Sequence, residues 1–165
     1  MFNVLYSASQ ISDKVIDCAL FIDNIASEND VMLCAIQQSS FMFMSDVAKQ
    51  LQSNVYMDFC GVNRYDDDGT AADLYMYKGA DARLVNNRVI IVADVLCNTG
   101  TTLDFAARLL KQMGAVKVYT LSLLVRQFSV HKPDWKGFTI SDELVYGYGI
   151  DKNQKHRTLP FIVYE

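Results

Sequence analysis

Long apolar runs are missing from this chain. Nowhere do about 18 consecutive apolar residues occur, and no charged-then-apolar leader is present, so neither a membrane-spanning helix nor a secretory signal is expected. Low-complexity tracts, period repeats and long Pro/Gly linkers are missing too, and 165 residues suit one domain, expected to cover 1–165. Paired cysteines are absent: Cys18, Cys34, Cys60 and Cys97 are widely spaced, form no C-x-x-C and lie mostly in apolar stretches. They read as reduced thiols of a cytoplasmic protein. Basic charge is in deficit, with a net charge of -4 and a pI near 5.1, which argues against nonspecific binding to nucleic acid or to an anionic membrane. Any phosphate site must therefore be local. What remains is a chain that is 51% hydrophobic, enough for one substantial core.

The chain is organised around Val89 to Leu103. The unbroken aliphatic run from Val89 to Val92 reads as a strand buried on both faces, as at the centre of a parallel sheet. Asp94 stands at its carboxyl end. Asn98, Thr99, Gly100, Thr101 and Thr102 then supply small hydroxyl side chains, a glycine and free backbone N–H groups just before a helix. Helix N-terminal amides lack intrahelical partners and carry partial positive charge, so this composition suits a phosphate cradle. The loop lacks the Gly-Lys-Ser/Thr ending of a Walker A motif and the pattern G-x-G-x-x-G. Leu103, Ala106, Ala107, Leu110 and Met113 follow helical spacing up to Gly114, and a second apolar run covers Val116 to Val125. The sum is a βαβ unit, whose ligands gather at the carboxyl ends of the strands. A strand, turn and helix whose threonines serve only as caps has the same local pattern.

The stretch resembles the 5-phosphoribosyl diphosphate (PRPP) loop of type I phosphoribosyltransferases: four apolar residues, two acids, two apolar residues, then Asp-Thr/Ser-Gly-x-Thr-Leu. The resemblance is closest to the hypoxanthine-guanine branch and covers nearly the whole chain. It implies an α/β fold with a mostly parallel central sheet flanked by helices, a lid hairpin and a small hood. It further implies a homo-oligomer, dimer or tetramer, that uses Mg2+ and transfers the phosphoribosyl group of PRPP to a 6-oxopurine base. The products would be pyrophosphate and a nucleoside monophosphate, with Thr99, Gly100, Thr101 and Thr102 on the 5′-phosphate.

Towards the amino end, Ile11, Val15, Cys18, Ala19, Ile22 and Ala26 share a helical face behind Ser9 as N-cap, and Val31 to Ile36 reads as a buried strand. Gln37-Gln38-Ser39-Ser40 follows, where the resembling family has Leu-Lys-Gly-Ser with a cis Leu-Lys peptide whose amides touch pyrophosphate. Gln38 and Ser39 take those places here, without the lysine charge. Val55 to Val62 and Asp73 to Lys78 read as paired strands around a polar loop of lid length. By resemblance Tyr65 lies in the mobile loop over the reacting centre, and Arg64 replaces a serine. Arg126 replaces the lysine that contacts the 6-oxo group. Leu144 takes the place of an aromatic residue that stacks on the base, and Val145 that of a valine whose backbone meets the base edge. Asp151 corresponds to an aspartate near magnesium and pyrophosphate, and Arg157 to an arginine on pyrophosphate.

The departures gather in the central loop. The family's two adjacent acids are Ala93 and Asp94 here, which leaves Asp94 to hold ribose hydroxyls and magnesium. Val95-Leu96-Cys97-Asn98 then adds one residue before Thr99-Gly100. Aligning on the Thr-Gly turn gives Asn98 the place of the acid/base aspartate beside purine N7; aligning on the strand gives it to Cys97. The turn is the stricter guide, with the extra residue taken up in a bend after Asp94, so Asn98 is expected there. Asparagine cannot accept a proton, and general acid–base help is typically worth about 10² to 10⁴ in rate. Two readings follow: an active enzyme relying on positioning and charge stabilisation, or a weakly active PRPP- or nucleotide-binding regulatory protein of the same fold.

Overall fold

A computed structural model describes residues 2–65 and 71–165. In chain order its elements are β1 (Val4–Tyr6), α1 (Ala8–Ala26), β2 (Val31–Gln37), α2 (Phe41–Gln50), β3 (Tyr56–Tyr65), β4 (Ala71–Lys78), α3 (Ala82–Val85), β5 (Val89–Cys97), α4 (Thr101–Gln112), β6 (Lys117–Arg126), β7 (Trp135–Ile140), β8 (Val145–Tyr146) and β9 (Ile162–Tyr164). The cap of α1 is Ser7, not Ser9. Gln10 N donates to Ser7 Oγ at 3.3 Å and Ser7 N donates to Gln10 Oε1 at 3.0 Å, a reciprocal box that Ser9, followed three residues later by Ser12, cannot form.

The six-stranded sheet has the order β4-β3-β2-β5-β6-β7, parallel except for the β3–β4 hairpin. Ile11, Val15 and Ile22 of α1 and Phe43 and Met44 of α2 pack on one face, against Leu33, Ile91 and Leu121. Leu103, Ala106 and Leu110 of α4 pack on the other, against Met32, Ile90 and Val92. A smaller antiparallel sheet, β1-β9-β8, forms the hood, and its Val145 and Ile162 join the first core. From β2 the chain steps to β3 on one side and later returns as β5 on the other. The carboxyl ends of β2 and β5 therefore flank the topological switch point, where open α/β sheets bind ligands. Arg64 and Tyr65, expected in a lid, end β3; their side chains, like residues 66–70, lie outside the described residues.

No bend follows Asp94. Strand β5 runs on to Cys97 at a constant offset from β6, from Val89↔Lys117 through Asp94↔Ser122 to Cys97↔Val125. The two-residue alternation slips instead: Ile91, Ala93 and Val95 face the first core, but so does Leu96, and Cys97 turns to the second. In β6, Leu123 and Leu124 both face the first core and Val125 the second. The two slips lie side by side, so the ladder keeps its register while both strands change face.

Candidate functional site

The loop between β5 and α4 is held by backbone. Gly100 has φ +84°, which a side chain would strain, and a Cβ there would lie 2.3 Å from the carbonyl oxygen of His131. The N–H groups of Val130 and His131 donate to Thr99 O at 3.2 and 3.1 Å, and Thr99 and Thr101 hydroxyls share a bond of 2.9 Å. Gly100 starts α4, so the first-turn amides of Thr102 and Leu103 have no acceptor within the helix. Asp94, Leu96, Cys97, Asn98, Thr99, Gly100, Thr102 and Leu103 line a cleft of about 200 Å³.

At the switch point, Ser39 Oγ, from the turn after β2, donates to Asp94 Oδ1 at 3.3 Å, and Val95 N donates to the same oxygen at 2.7 Å. Asp94 is 9% exposed, and burial pushes its carboxyl up to about 6, against hydrogen bonds that favour the charged form. The Gln37–Gln38 peptide is cis. Gln38 itself is exposed and lines a separate hollow with Gln37, Phe41 and Phe59.

Cys97 and Asn98 point to different surroundings. The Cys97 thiol is buried, 3.4 Å from Ser129 Oγ and 3.7 Å from His131 O, where burial raises its pKa. Asn98 is exposed, and its Oδ1 accepts from Arg126 Nε at 3.1 Å. Arg126, at the end of β6, is 8% exposed. Its Nη1 donates to Ser141 O at 2.6 Å and stands 3.9 Å from Glu143 Oε2. That carboxylate oxygen is buried and has no hydrogen-bond partner among the described residues. One guanidinium thus links the loop before α4 to the segment between β7 and β8.

Leu144 is 53% exposed at the start of the hood strand. It exchanges both backbone bonds with Glu165, Leu144 N to Glu165 O at 3.2 Å and Glu165 N to Leu144 O at 2.9 Å. The adjacent pair, Val145↔Tyr164, is then the non-bonded one, which turns the N–H and C=O of Val145 to the open edge of β8. Gly149 packs on the turn after β2, where a Cβ would lie 1.9 Å from Ser39 O. Its carbonyl accepts from Arg157 Nη1 at 2.8 Å, and Arg157 Nη2 pairs with Asp151 Oδ1 at 2.8 Å. Through Gly149 the segment bearing Asp151 and Arg157 is seated on the turn that carries Gln38 and Ser39.

Three contributors escaped the sequence reading: Glu143, the carbonyl of Ser141, and the Ser129–His131 loop behind Gly100. Glu143 did carry a signal, since it stands where the resembling family has lysine while Arg126 replaces another lysine. Among the described residues no group of three or more His, Cys, Asp or Glu side chains could hold a metal ion, and no helix is long and apolar enough to cross a membrane.

The model of the phosphoribosyl transferase domain matches residues 4–153. The chain is 29% identical over 167 aligned positions to a hypoxanthine phosphoribosyltransferase of Haemophilus influenzae, covering 97% of this chain and 93% of that protein. It is 31% identical over 166 positions to a hypoxanthine-guanine phosphoribosyltransferase of Staphylococcus epidermidis, covering 97% and 91%. Among solved structures, a hypoxanthine-guanine phosphoribosyltransferase from Bacillus anthracis matches with a TM-score of 0.89 at 26% identity, over 99% of this chain and 98% of that one.

Proposed function

The chain belongs to the phosphoribosyl transferase domain family, and from that premise we propose that it transfers the 5-phosphoribosyl group of PRPP to N9 of a 6-oxopurine, hypoxanthine or guanine. Pyrophosphate leaves and the nucleoside monophosphate forms, a purine-salvage reaction. The observation that carries this reading is the buried Arg126, which joins the phosphate loop through Asn98 to the hood through Ser141. A guanidinium there can donate to a 6-oxo group and has nothing to offer the 6-amino group of adenine.

Each remaining group has a place in the reaction. Thr99, Gly100, Thr101 and Thr102 hold the 5′-phosphate by amides and hydroxyls. The edge of the base meets the free N–H and C=O of Val145, and Leu144 covers its face. Gln38, Ser39 and Arg157 face pyrophosphate, Arg64 and Tyr65 belong to the lid, and Asn98 lies beside N7. Asp94 holds the ribose hydroxyls. Most of the acceleration comes from aligning N9 with C1′ and from stabilising the charge that collects on departing pyrophosphate.

Mg2+ fits the donor set. This ion keeps several waters and takes one or two carboxylates together with substrate phosphates, so Asp94 and Asp151 suffice without a protein cage. When bound it neutralises charge on the pyrophosphate. Asp151 already faces Arg157, which balances the carboxylate before substrate arrives.

The test is pyrophosphate release from PRPP and Mg2+ with hypoxanthine, guanine, xanthine and adenine in parallel, for wild type and Arg126→Ala. Hypoxanthine and guanine are expected to exceed adenine, and Arg126→Ala to erase most of that preference. Adenine as the best acceptor, or an unchanged preference in the variant, would defeat the assignment.

A further inference from the structure

A neutral 6-oxopurine that attacks through N9 must lose a ring proton, and Asn98 cannot take it. The orientation of its amide says what it does instead. Arg126 Nε–H is a donor without acceptor capacity, so the amide atom 3.1 Å from it must be the oxygen. Oδ1 is thereby turned to the guanidinium, which uses one of its two lone pairs, and the donor-only Nδ2 is the amide atom turned away from Arg126, on a residue that lines the cleft. Arg126 shows the same one-sidedness. Nε and Nη1 are held by Asn98 and Ser141, with Glu143 at 3.9 Å, while Nη2 donates to no acceptor among the described residues. Two donors therefore stand together here, Asn98 Nδ2 on a residue of the cleft lining and Arg126 Nη2 on the residue bonded to it, one of them cationic.

A neutral base in its N7–H form would set donor against donor. A base that has already lost its ring proton offers a lone pair at N7, another at N9 and negative charge spread to O6. We propose that this chain selects the deprotonated, monoanionic form of its 6-oxopurine, with Arg126 at O6 and Asn98 donating to N7. The inference rests on the reading above that Asn98 lies beside N7. The proton goes to solvent before binding. In the transfer step the N9 lone pair forms the bond to C1′, the C1′–O bond breaks, and its electron pair leaves on pyrophosphate, with no proton moving.

Other charged groups surround the pair. Glu143 precedes β8, Lys132 in the loop after β6 donates to Arg126 O at 3.5 Å, and Asp94 of β5 lines the same cleft. The experiment must therefore separate ionisation of the base from ionisation of the protein. Hypoxanthine and 8-azahypoxanthine do so, because a ring nitrogen in place of C8 makes the base more acidic while O6 and N7 remain in place as acceptors. With PRPP and Mg2+ saturating, kcat/KM for each base is measured across about pH 6 to 10, where it is expected to rise about tenfold per pH unit until that base ionises. The midpoint should move with the base. Asn98→Asp puts a proton acceptor at the same place and should flatten the hypoxanthine profile, with its largest gain at low pH. A midpoint shared by the two bases, or a flat wild-type profile with clear turnover, overturns the proposal alone, whether or not the variant folds. Absence of turnover with either base at every pH overturns the transferase reading and the proposal together.

Discussion

The two walls of the cleft are made of different material. The wall proposed for phosphate, Thr99 to Thr102, is backbone held by backbone: His131 O closes on Gly100, and the amides of Val130 and His131 hold Thr99 O. The wall proposed for the base starts at Asn98 and consists of side chains holding one another, with Arg126 between Asn98, Ser141 and Glu143. A backbone wall depends on one or two conformations and tolerates no added atom at those points. A side-chain wall can be retuned by substitution while the sheet beneath it stays as it is. Four of the chain's departures from its family, Asn98, Arg126, Glu143 and Leu144, gather at the proposed base wall, while those at Ala93, Gln38 and Arg64 lie elsewhere.

The contrast is tested most severely at Gly100. Alanine there would need φ +84° and would put its Cβ 2.3 Å from His131 O, so the loop must move. We expect a stability loss of about 2–3 kcal/mol and a fall in kcat/KM of about 10²-fold or more, since a cradle displaced by an ångström loses alignment. Urea denaturation and pyrophosphate release measure the two effects; wild-type activity in this variant would show that the wall is not rigid.

Asp94→Asn should pull stability and activity apart. Burial raises the Asp94 carboxyl from 3.8 to about 6, so the folded protein holds this proton more tightly than the unfolded chain does. Stability is highest below the unfolded value, falls as pH rises through the folded one, and stays low above it. Neutral asparagine escapes that loss, worth about 3 kcal/mol at most. The variant should therefore outlast wild type in urea at about pH 8, with an advantage that shrinks towards pH 4, while turnover drops. A larger advantage at the acid end would mean that the buried charge is not the cause.

The smallest effect is expected at Leu144. Because this side chain is 53% exposed, Leu144→Phe should change stability little. It should lower KM for the base by about tenfold, as base–aromatic stacking is worth about 1–3 kcal/mol. An unchanged KM would remove Leu144 from the base wall.

What the sequence determined by itself was whatever local pattern encodes. Aliphatic β5, the Thr-Gly-Thr-Thr turn and the apolar stripe of α4 each follow from neighbouring residues, so the βαβ unit and the turn between its strand and helix were legible from the sequence. Elements also bordered correctly where one residue type decides, as at Val31 and Val89, and less well where a reciprocal contact decides, as at the Ser7–Gln10 box. Tertiary structure alone decided how β5 passes Asp94, because the slip at Val95–Leu96 is matched by one at Leu123–Leu124 in a strand 28 residues away. It also decided which way Asn98 faces. The amide orientation depends on Arg126, and the Arg126 conformation depends on Ser141 and Glu143, residues that meet only when β6 and the hood are in place. Hydrogen-bond direction between distant side chains has no period in the sequence; it exists only once packing has brought donor and acceptor within about 3 Å.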